Sequence, residues 1–199
     1  MLEPDYKRLH IFFDCQNLFY SAKVRFGHLK PDFDPVRLSE YVAQEHCWQL
    51  FQIHVYTGVH EEMENPYWHN YWSAKLASLG QKENVSVFRR PLRYSTKNGI
   101  RVPREKGIDV RIAIDVIRMA YDNIYDVAVI FSQDQDLSEV AKEIRKIANK
   151  QNRWIKVASA FPYNKMKGNS KPRGINYTDW IPIDLRTYQQ CLDPNNYGN

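Results

Sequence analysis

Short apolar strands alternate with amphipathic helices along the chain, and this alternation constrains the fold more than any other feature of the sequence. Runs of β-branched and aromatic residues predict strands. They span residues 8–13, 50–57, 84–88, 126–131 and 154–159. Apolar residues at helical spacing predict helices over 17–26, 35–46, 66–79, 108–121 and 136–149. Such alternation is typical of a parallel sheet covered on both faces, so we predict an α/β fold: a three-layer α/β/α sandwich with a mainly parallel central sheet.

Size and composition favour one compact domain in solution. The 199 residues contain no internal repeat and no long linker, so we expect a single domain over residues 1–199. No apolar run approaches the roughly 20 residues that cross a bilayer, which argues against a membrane protein. The amino end lacks a secretory pattern, and the three cysteines, Cys15, Cys47 and Cys191, are scattered. These features predict a cytoplasmic protein without a disulfide framework.

Positive charge is concentrated in one segment. The net charge of the chain is +5, yet residues 89–106 contain one acid, Glu105, among many cations. These cations are Arg89, Arg90, Arg93, Lys97, Arg101, Arg104 and Lys106. Such a segment either solvates a surface or binds the phosphates of a nucleic acid, and the neighbouring acidic residues favour the second reading. Residues 91–104 are predicted to form an extended loop or a hairpin that carries this charge. A second basic stretch, residues 163–174, has the composition of a flexible loop.

Four aspartates lie where predicted strands end or helices begin: Asp14, Asp109, Asp134 and Asp136. Parallel strands place their carboxyl ends, and with them their sites, at one edge of the sheet. Each acid alone is explained as well by a local role, as a helix cap or, for Asp14, as a turn residue. Gathered together, two carboxylates repel by about 4 kcal/mol at a separation of about 4 Å, which a cation would offset. Because no histidine or cysteine accompanies them, we predict Mg²⁺ or Mn²⁺ as the cofactor.

Three segments, DCQN at 14–17, EKGIDV at 105–110 and SQDQD at 132–136, resemble the motifs of the NYN domain family, which belongs to the PIN-like nucleases. The resemblance extends from the first predicted strand to the fifth. It implies a PIN-like sandwich and metal-dependent ribonuclease chemistry. Carried over by motif, the catalytic and metal-binding acids are Asp14, Asp109, Asp134 and Asp136, and Asn17 accompanies the first of them. Lys106 matches the lysine of the family's KGxD motif.

Two residues depart from the family pattern, which commonly reads SGDSDF where this chain reads SQDQDL. Gln133 replaces a glycine and Leu137 replaces an aromatic residue. If the glycine permits close approach of the substrate, the side chain of Gln133 narrows the site. Two other motif residues keep simpler alternatives: Asn17 as the cap of the first helix, and Lys106 as a solvated surface residue.

Together these features predict a cytoplasmic endoribonuclease that hydrolyses single-stranded RNA with Mg²⁺ or Mn²⁺, which would polarise the scissile phosphate and activate a water. The RNA backbone is expected to contact Arg89, Arg90, Arg93, Arg101, Arg104 and Lys106. One alternative is a catalytically weak nucleic-acid-binding module with the same fold. Another is a phosphatase with an aspartate nucleophile after the first strand. That alternative is disfavoured because Gln16 stands where its second acid is expected.

Aromatic residues cluster in YWHNYW, residues 67–72, on a predicted helix. Core packing or a homodimer surface is favoured over base stacking as the reason for this cluster. His54, His60 and His69 share no ligand spacing with the aspartates, so they are interpreted as structural or surface residues.

Overall fold

A six-stranded parallel sheet runs through the centre of the protein. The computed structural model describes residues 1–165 and 173–198. Its strands are β1 (Arg8–Asp14), β2 (Gln49–Val59), β3 (Val85–Pro91), β4 (Arg93–Lys97), β5 (Ile100–Arg104), β6 (Val127–Phe131), β7 (Lys156–Pro162) and β8 (Asp179–Ile183). The central sheet has the order β3-β2-β1-β6-β7-β8. The strand order therefore reverses between β1 and β6, and open parallel sheets place their sites at the carboxyl ends of such a pair.

Helices cover both faces of this sheet. They are α1 (Cys15–Phe26), α2 (Pro35–Glu45), α3 (Pro66–Gly80), α4 (Ile108–Tyr121), α5 (Ser138–Lys150) and α6 (Leu185–Gln190). Buried side chains of α1, α2, α3 and α6 share one core with the sheet, and those of α4 and α5 share a second core. Alternation along β1 separates the two cores: Ile11 and Phe13 belong to the first and Phe12 to the second. The predicted three-layer α/β/α sandwich is confirmed.

The basic segment forms a β-hairpin, one of the two conformations predicted for residues 91–104. β4 and β5 pair with each other in antiparallel register and form a separate two-stranded sheet. Asn98 and Gly99 connect them, both with positive φ, as the tightest hairpin turns require. β3 is longer than the predicted strand 84–88, so Arg89 and Arg90 lie on the central sheet rather than in the hairpin.

Two elements near the carboxyl end were not predicted from the sequence. β8 contains Pro182, which is incompatible with the interior of a sheet, and the structure places β8 at the sheet edge beside β7. α6 has six residues, too few to show a helical apolar period. Within the described residues, no helix is both long enough and apolar enough to cross a bilayer.

Candidate metal site and nucleic-acid interface

Asp14, the last residue of β1, lies at the centre of the candidate site. It is 5% exposed. Its Oδ1 accepts a hydrogen bond from the backbone N–H of Asn17 at 3.1 Å and thereby caps α1. Its Oδ2 accepts a hydrogen bond from Ser132 Oγ at 3.2 Å. Asp14 therefore combines a capping role with a direct contact to the residue that follows β6.

Asn17 and Ser132 hold the ends of β1 and β6 together. Asn17 Oδ1 accepts a hydrogen bond from the backbone N–H of Gln133 at 2.9 Å. Ser132 Oγ, which donates to Asp14, accepts from the backbone N–H of Asp134 at 3.1 Å. The alternative that Asn17 caps the first helix is wrong, because Asp14 supplies that cap. Asn17 instead fixes the loop that carries Asp134 against the end of β1.

Asp134 and Asp136 occupy different environments although one residue separates them. Asp134 is half-buried, and its Oδ1 accepts a hydrogen bond from the backbone N–H of Asp136 at 3.0 Å, which caps a 3₁₀ turn, Gln135–Leu137. Asp136 is exposed on that turn. The capping alternative therefore applies to Asp134, whose charge also raises the pKa of Asp14.

The EKGIDV segment adds two more acids to this site. Gly107, at a φ of 79°, precedes α4, and no side chain caps this helix. The alternative that Asp109 caps its own helix is therefore wrong, and its carboxylate in the first turn of α4 is not used for capping. Glu105 Oε2 accepts a hydrogen bond from the backbone N–H of Gly58 near the end of β2. Glu105 was not among the predicted site residues, although it opens the same motif.

The acids of these segments are close enough for their charges to affect Asp14 and Glu105. Burial raises the pKa of Asp14 to about 6, and the charges of Asp134 and Asp109 raise it as well, against the hydrogen bonds from Asn17 and Ser132. Burial also raises the pKa of Glu105 to about 8, with further contributions from the charges of Asp14 and Asp109. We call Asp14, Glu105, Asp109 and Asp134 the acid cluster. Neighbouring negative charges thus disfavour the ionised forms of Asp14 and Glu105, as expected for carboxylates without a counter-charge.

The charge and the donor atoms of the acid cluster fit a hard divalent cation. None of the ion pairs found among the described residues involves a member of the cluster, so no lysine or arginine there neutralises it at short range. In residues 1–165 and 173–198, no three histidine, cysteine, aspartate or glutamate side chains converge closely enough to form a ready-made ion cage. Mg²⁺ commonly keeps several waters and takes one or two carboxylates together with substrate phosphates, so the arrangement suits a hydrated ion rather than an enclosed one.

Gln133 does not project freely into the site. Its Oε1 accepts a hydrogen bond from Ser21 Oγ on α1 at 2.9 Å, and its Nε2 donates to the backbone oxygen of Arg173. Gln135 Nε2 also reaches this segment, donating to the backbone oxygen of Gly174 at 3.0 Å. The glutamine that replaces the family's glycine therefore ties the loop after β6 to α1 and to residues 173–174.

The predicted RNA-binding residues are exposed and lie on β3, the hairpin and the segment that follows. We call this group the basic strip: Arg89, Arg90, Arg93, Arg101, Arg104 and Lys106. Arg90 lies beside the segment that carries Glu105 and Asp109, because its Nη1 is 2.9 Å from the position that a Cβ on Gly107 would occupy. Arg101 forms an ion pair with Glu64 at 2.7 Å. Most of the second basic stretch, residues 163–174, lies outside the described residues.

The aromatic cluster on α3 is divided between core and surface. Tyr71 and Trp72 are buried and pack in the first core, which confirms the core-packing interpretation for these two rings. The histidines take structural positions, as predicted. Buried His54 contacts His10 through ring nitrogens 3.1 Å apart, and His60 contacts the hydroxyl of Tyr94 on β4 at 3.0 Å.

Comparisons with known proteins agree with this architecture. A family model described as the NYN domain matches residues 8–168. A crystal structure of a Vibrio parahaemolyticus protein of unknown function is 18% identical in sequence, covers 93% of this chain and 98% of its own, and has a TM-score of 0.57, which supports the fold. Acinetobacter baumannii MurG aligns at 12% identity over 88% of this chain and 45% of its own, with a TM-score of 0.34. No curated protein sequence matches the chain.

Proposed function

The chain belongs to the NYN domain family, within the PIN-like nuclease superfamily, and from this premise we propose that it is a metal-dependent endoribonuclease that hydrolyses single-stranded RNA. The observation that carries the proposal is the acid cluster. The charges of Asp109 and Asp134 add to burial in raising the pKa of Asp14, and those of Asp14 and Asp109 add to burial in raising the pKa of Glu105. No ion pair found among the described residues involves any of these four acids. A site with this excess of negative charge favours cation binding over any role in packing.

The acids have distinct tasks in this proposal. Asp14, Asp109 and Asp134 would surround a hydrated Mg²⁺ or Mn²⁺ and bind it directly or through its waters, with Asp136 at the exposed margin. Glu105 lies beside them, is largely protonated near neutral pH because its pKa is raised to about 8, and accepts a hydrogen bond from the backbone N–H of Gly58. When bound, the ion would polarise the scissile phosphodiester and lower the pKa of a coordinated water.

Asn17 and Ser132 act as positioning residues. Their hydrogen bonds hold Asp14 and the loop that carries Asp134 at a fixed separation, independently of any ligand. Outer partners of this kind commonly change metal affinity or activity by about 10- to 100-fold when they are removed. Replacing either side chain should therefore weaken activity without removing a ligand.

The basic strip would bind the RNA backbone. Its guanidinium groups and the ammonium group of Lys106 are exposed, and Arg90 reaches the Gly107 backbone beside the acid cluster. Contacts of this kind recognise phosphates and carry little sequence information. Their proximity to the acids would place a phosphate of the bound strand close to the ion.

A catalytically weak nucleic-acid-binding module is the second candidate. The observation in its favour is that the described acids do not converge into a ready-made cage for an ion. Such a module would use the basic strip alone. Its RNA binding would not depend on a divalent ion beyond the effect of ionic strength.

A cleavage assay with matched variants of α4 tests the proposal. Asp109→Asn removes an acid at the first turn of the helix, whereas Asp122→Asn removes an exposed acid at its other end. We expect end-labelled single-stranded RNA to be cut in Mg²⁺ or Mn²⁺ by the wild-type protein and by Asp122→Asn. Cutting should stop in EDTA and in Asp109→Asn.

Three outcomes of this assay separate the candidates. Cutting that persists in EDTA or in Asp109→Asn would contradict the metal-dependent nuclease. Binding of RNA without cutting under any of these conditions would favour the binding module. Equal cutting of a single-stranded DNA of the same sequence would remove RNA from the proposal and leave the metal chemistry in place.

The cysteines bear on the cellular location of the protein. Cys15, Cys47 and Cys191 are free thiols, and free thiols persist in a reducing compartment. Cytoplasmic localisation remains part of the proposal, and fractionation of cells that express the chain would test it.

A further inference from the structure

A pocket of about 240 Å³ lies between α1 and α3, beside the acid cluster. We call it the α1–α3 pocket. Its walls include Gln16, Phe19, Tyr20 and Lys23 from α1, Trp68 from α3 and Gly58 from β2. Pockets for drug-sized ligands usually enclose about 300 to 1,000 Å³, so this one suits a smaller planar group.

The sequence places one face of each helix against this pocket. Along α1, the lining residues 16, 19, 20 and 23 follow the spacing of a single helical face. On α3, Trp68 and Trp72 are one turn apart and line the opposite wall. Tyr20 and Lys23 are exposed at the rim. The pocket is thus built by regular elements and does not depend on a loop conformation.

The rings leave a slot between the two helices. Phe19 and Tyr20 contact each other with centroids 5.3 Å apart, and Trp68 contacts Tyr71 on its own helix, also at 5.3 Å. Among the described residues, no ring pair joins α1 to α3 across the pocket. Aromatic walls on both sides of an open slot are suited to a flat ring system, which gains stacking energy on its faces.

A polar group at the base of the slot supplies hydrogen bonds. Gln16 Nε2 lies 3.5 Å from the backbone oxygen of Gly58, a weak hydrogen bond. No described residue donates to Gln16 Oε1, so this amide presents an acceptor and a loosely held donor to the pocket. The edge of a nucleobase carries complementary donors and acceptors, and glutamine is a common partner for it. The exposed ammonium group of Lys23 is available for an adjoining phosphate.

Gly58 connects the pocket to the acid cluster. Its backbone oxygen faces Gln16, and its N–H donates to Glu105 Oε2. A Cβ at this position would clash with Leu92 Cδ2 and would lie 2.8 Å from Glu105 Oε2 and 3.1 Å from Gln16 Nε2, so a larger residue would displace these side chains. A group bound in the pocket is therefore separated from the acid cluster by one residue.

We propose that the α1–α3 pocket binds one unstacked base of the nucleic-acid strand, next to the phosphate that the acid cluster engages. The inference rests on the proposed function, which identifies that strand as single-stranded RNA. It extends the proposal because it assigns a base-binding role to residues of α1 and α3. Binding of phosphates alone would give these residues no role. Backbone contacts by the basic strip would hold the strand, and this pocket would set its register.

Nucleotide binding in EDTA tests the pocket without any need for cleavage. The probes are AMP, GMP, CMP and UMP, with ribose 5-phosphate as the control for the sugar and phosphate. We expect at least one of the nucleotides to quench the tryptophan fluorescence, to which Trp68 and Trp72 contribute, in a saturable way, and ribose 5-phosphate to leave it unchanged. Tyr20→Ala should raise the Kd about fivefold or more, since stacking on one aromatic side chain contributes at least that factor.

The control is a tyrosine of equal exposure on another face. Tyr20 is 56% exposed and Tyr121, on α4, is 58% exposed, so neither substitution disturbs the core. Tyr121→Ala should bind nucleotides as the wild-type protein does. The inference is overturned if no nucleotide produces saturable quenching, if ribose 5-phosphate quenches equally, or if Tyr20→Ala and Tyr121→Ala behave alike.

The same experiment distinguishes failure of the pocket from failure of the proposed function. RNA cleavage by a chain whose pocket binds no nucleotide overturns this inference and leaves the nuclease in place. Nucleotide binding that depends on Tyr20, in a chain that cleaves no RNA, supports the pocket and removes the nuclease.

Discussion

The acid cluster and the basic strip lie side by side but are built in opposite ways. The acid cluster is partly or fully buried, and strand ends and hydrogen bonds fix Asp14 and Asp134 in place. The basic strip is exposed, and much of it lies on a hairpin whose strands pair only with each other among the described strands. The fold therefore fixes the negative charges before any ligand binds, whereas the positive side chains adjust to one.

This difference indicates which ligand each region requires. Buried carboxylates that repel one another lower the stability of the fold unless a cation joins them. Exposed arginines are solvated without a ligand and gain mainly when a polyanion releases its counterions. The first region should thus be sensitive to divalent ions and pH, and the second to salt. Four substitutions test this division, from the largest expected effect to the smallest.

Replacing the central acid should have the largest effect. Asp14→Asn keeps an oxygen to cap α1 but removes the buried charge, and we expect RNA hydrolysis in Mn²⁺ to fall by at least about 100-fold, with the fold retained by circular dichroism. Asp34→Asn is the matched control, because Asp34 caps α2 in the same way. Equal rates for Asp14→Asn and Asp34→Asn would remove Asp14 from the chemistry.

Charge reversal in the basic strip should weaken RNA binding without affecting metal binding. Arg93→Glu is expected to lower the affinity for single-stranded RNA about tenfold in 50 mM salt and to reduce the slope of log K against log salt by about 0.7 or more. Lys82→Glu makes the same charge change just before β3, at the amino end of this strand, whereas the hairpin follows its carboxyl end. Fluorescence anisotropy measures the RNA affinity of both variants. An equal loss of affinity in the two would show that binding depends only on the net charge of the protein.

Removing the charge of Glu105 should stabilise the protein at high pH. The folded-state pKa of Glu105 is about 8, above its ordinary value of 4.5, so the folded state retains a proton that the unfolded chain loses between these pH values. Stability from this group is fully present below about pH 4.5 and is lost as pH rises through 8. In EDTA at pH 9, the free energy of unfolding of Glu105→Gln, measured with urea, should therefore exceed that of the wild-type protein by about 1 to 3 kcal/mol.

At pH 5 the wild-type protein and Glu105→Gln should have nearly equal free energies of unfolding, because Glu105 is protonated in the folded wild-type protein. An advantage of Glu105→Gln that is the same at pH 5 and pH 9 would mean that packing, and not ionisation, distinguishes the two side chains.

The smallest effect is expected within the basic strip itself. Arg101 is paired with Glu64, so part of its charge is already neutralised, and Arg101→Gln should change RNA affinity by no more than about twofold. Glu64→Gln releases the guanidinium group and should strengthen binding by a similar factor. If Arg101→Gln weakens binding as much as Arg93→Glu, the pairing with Glu64 does not persist on RNA.

Local sequence patterns predicted the parts of the fold that depend on local chemistry. Buried strands such as VAVIF, and the acids that follow them, were recognisable because burial on both faces leaves a continuous apolar run. β8 was not recognisable from the sequence, since Pro182 and several exposed residues make this edge strand resemble a loop. The hairpin was one of two alternatives, and its turn at Asn98 and Gly99 was the available signal.

The candidate site was predictable to the extent that its residues end strands or begin helices. Asp14, Asp109 and Asp134 were identified in this way, but Glu105 was not, because its role depends on a hydrogen bond to Gly58, 47 residues away. The partners of Gln133 were equally beyond local reasoning, since they lie on α1 and at Arg173. The α1–α3 pocket required the relative placement of two helices, which no periodicity in either one reveals.

Direct measurement of Mn²⁺ binding tests the central claim, that the acids gather because a divalent cation neutralises them. Electron paramagnetic resonance of free Mn²⁺ during titration gives the affinity of the wild-type protein and of Asp14→Asn at pH 7.5 and constant ionic strength. The account predicts that the wild-type protein binds Mn²⁺ and that Mg²⁺ displaces it. It also predicts that Asp14→Asn lowers the affinity for Mn²⁺ at least about tenfold. Equal Mn²⁺ binding by the two proteins, or none by either, would contradict it.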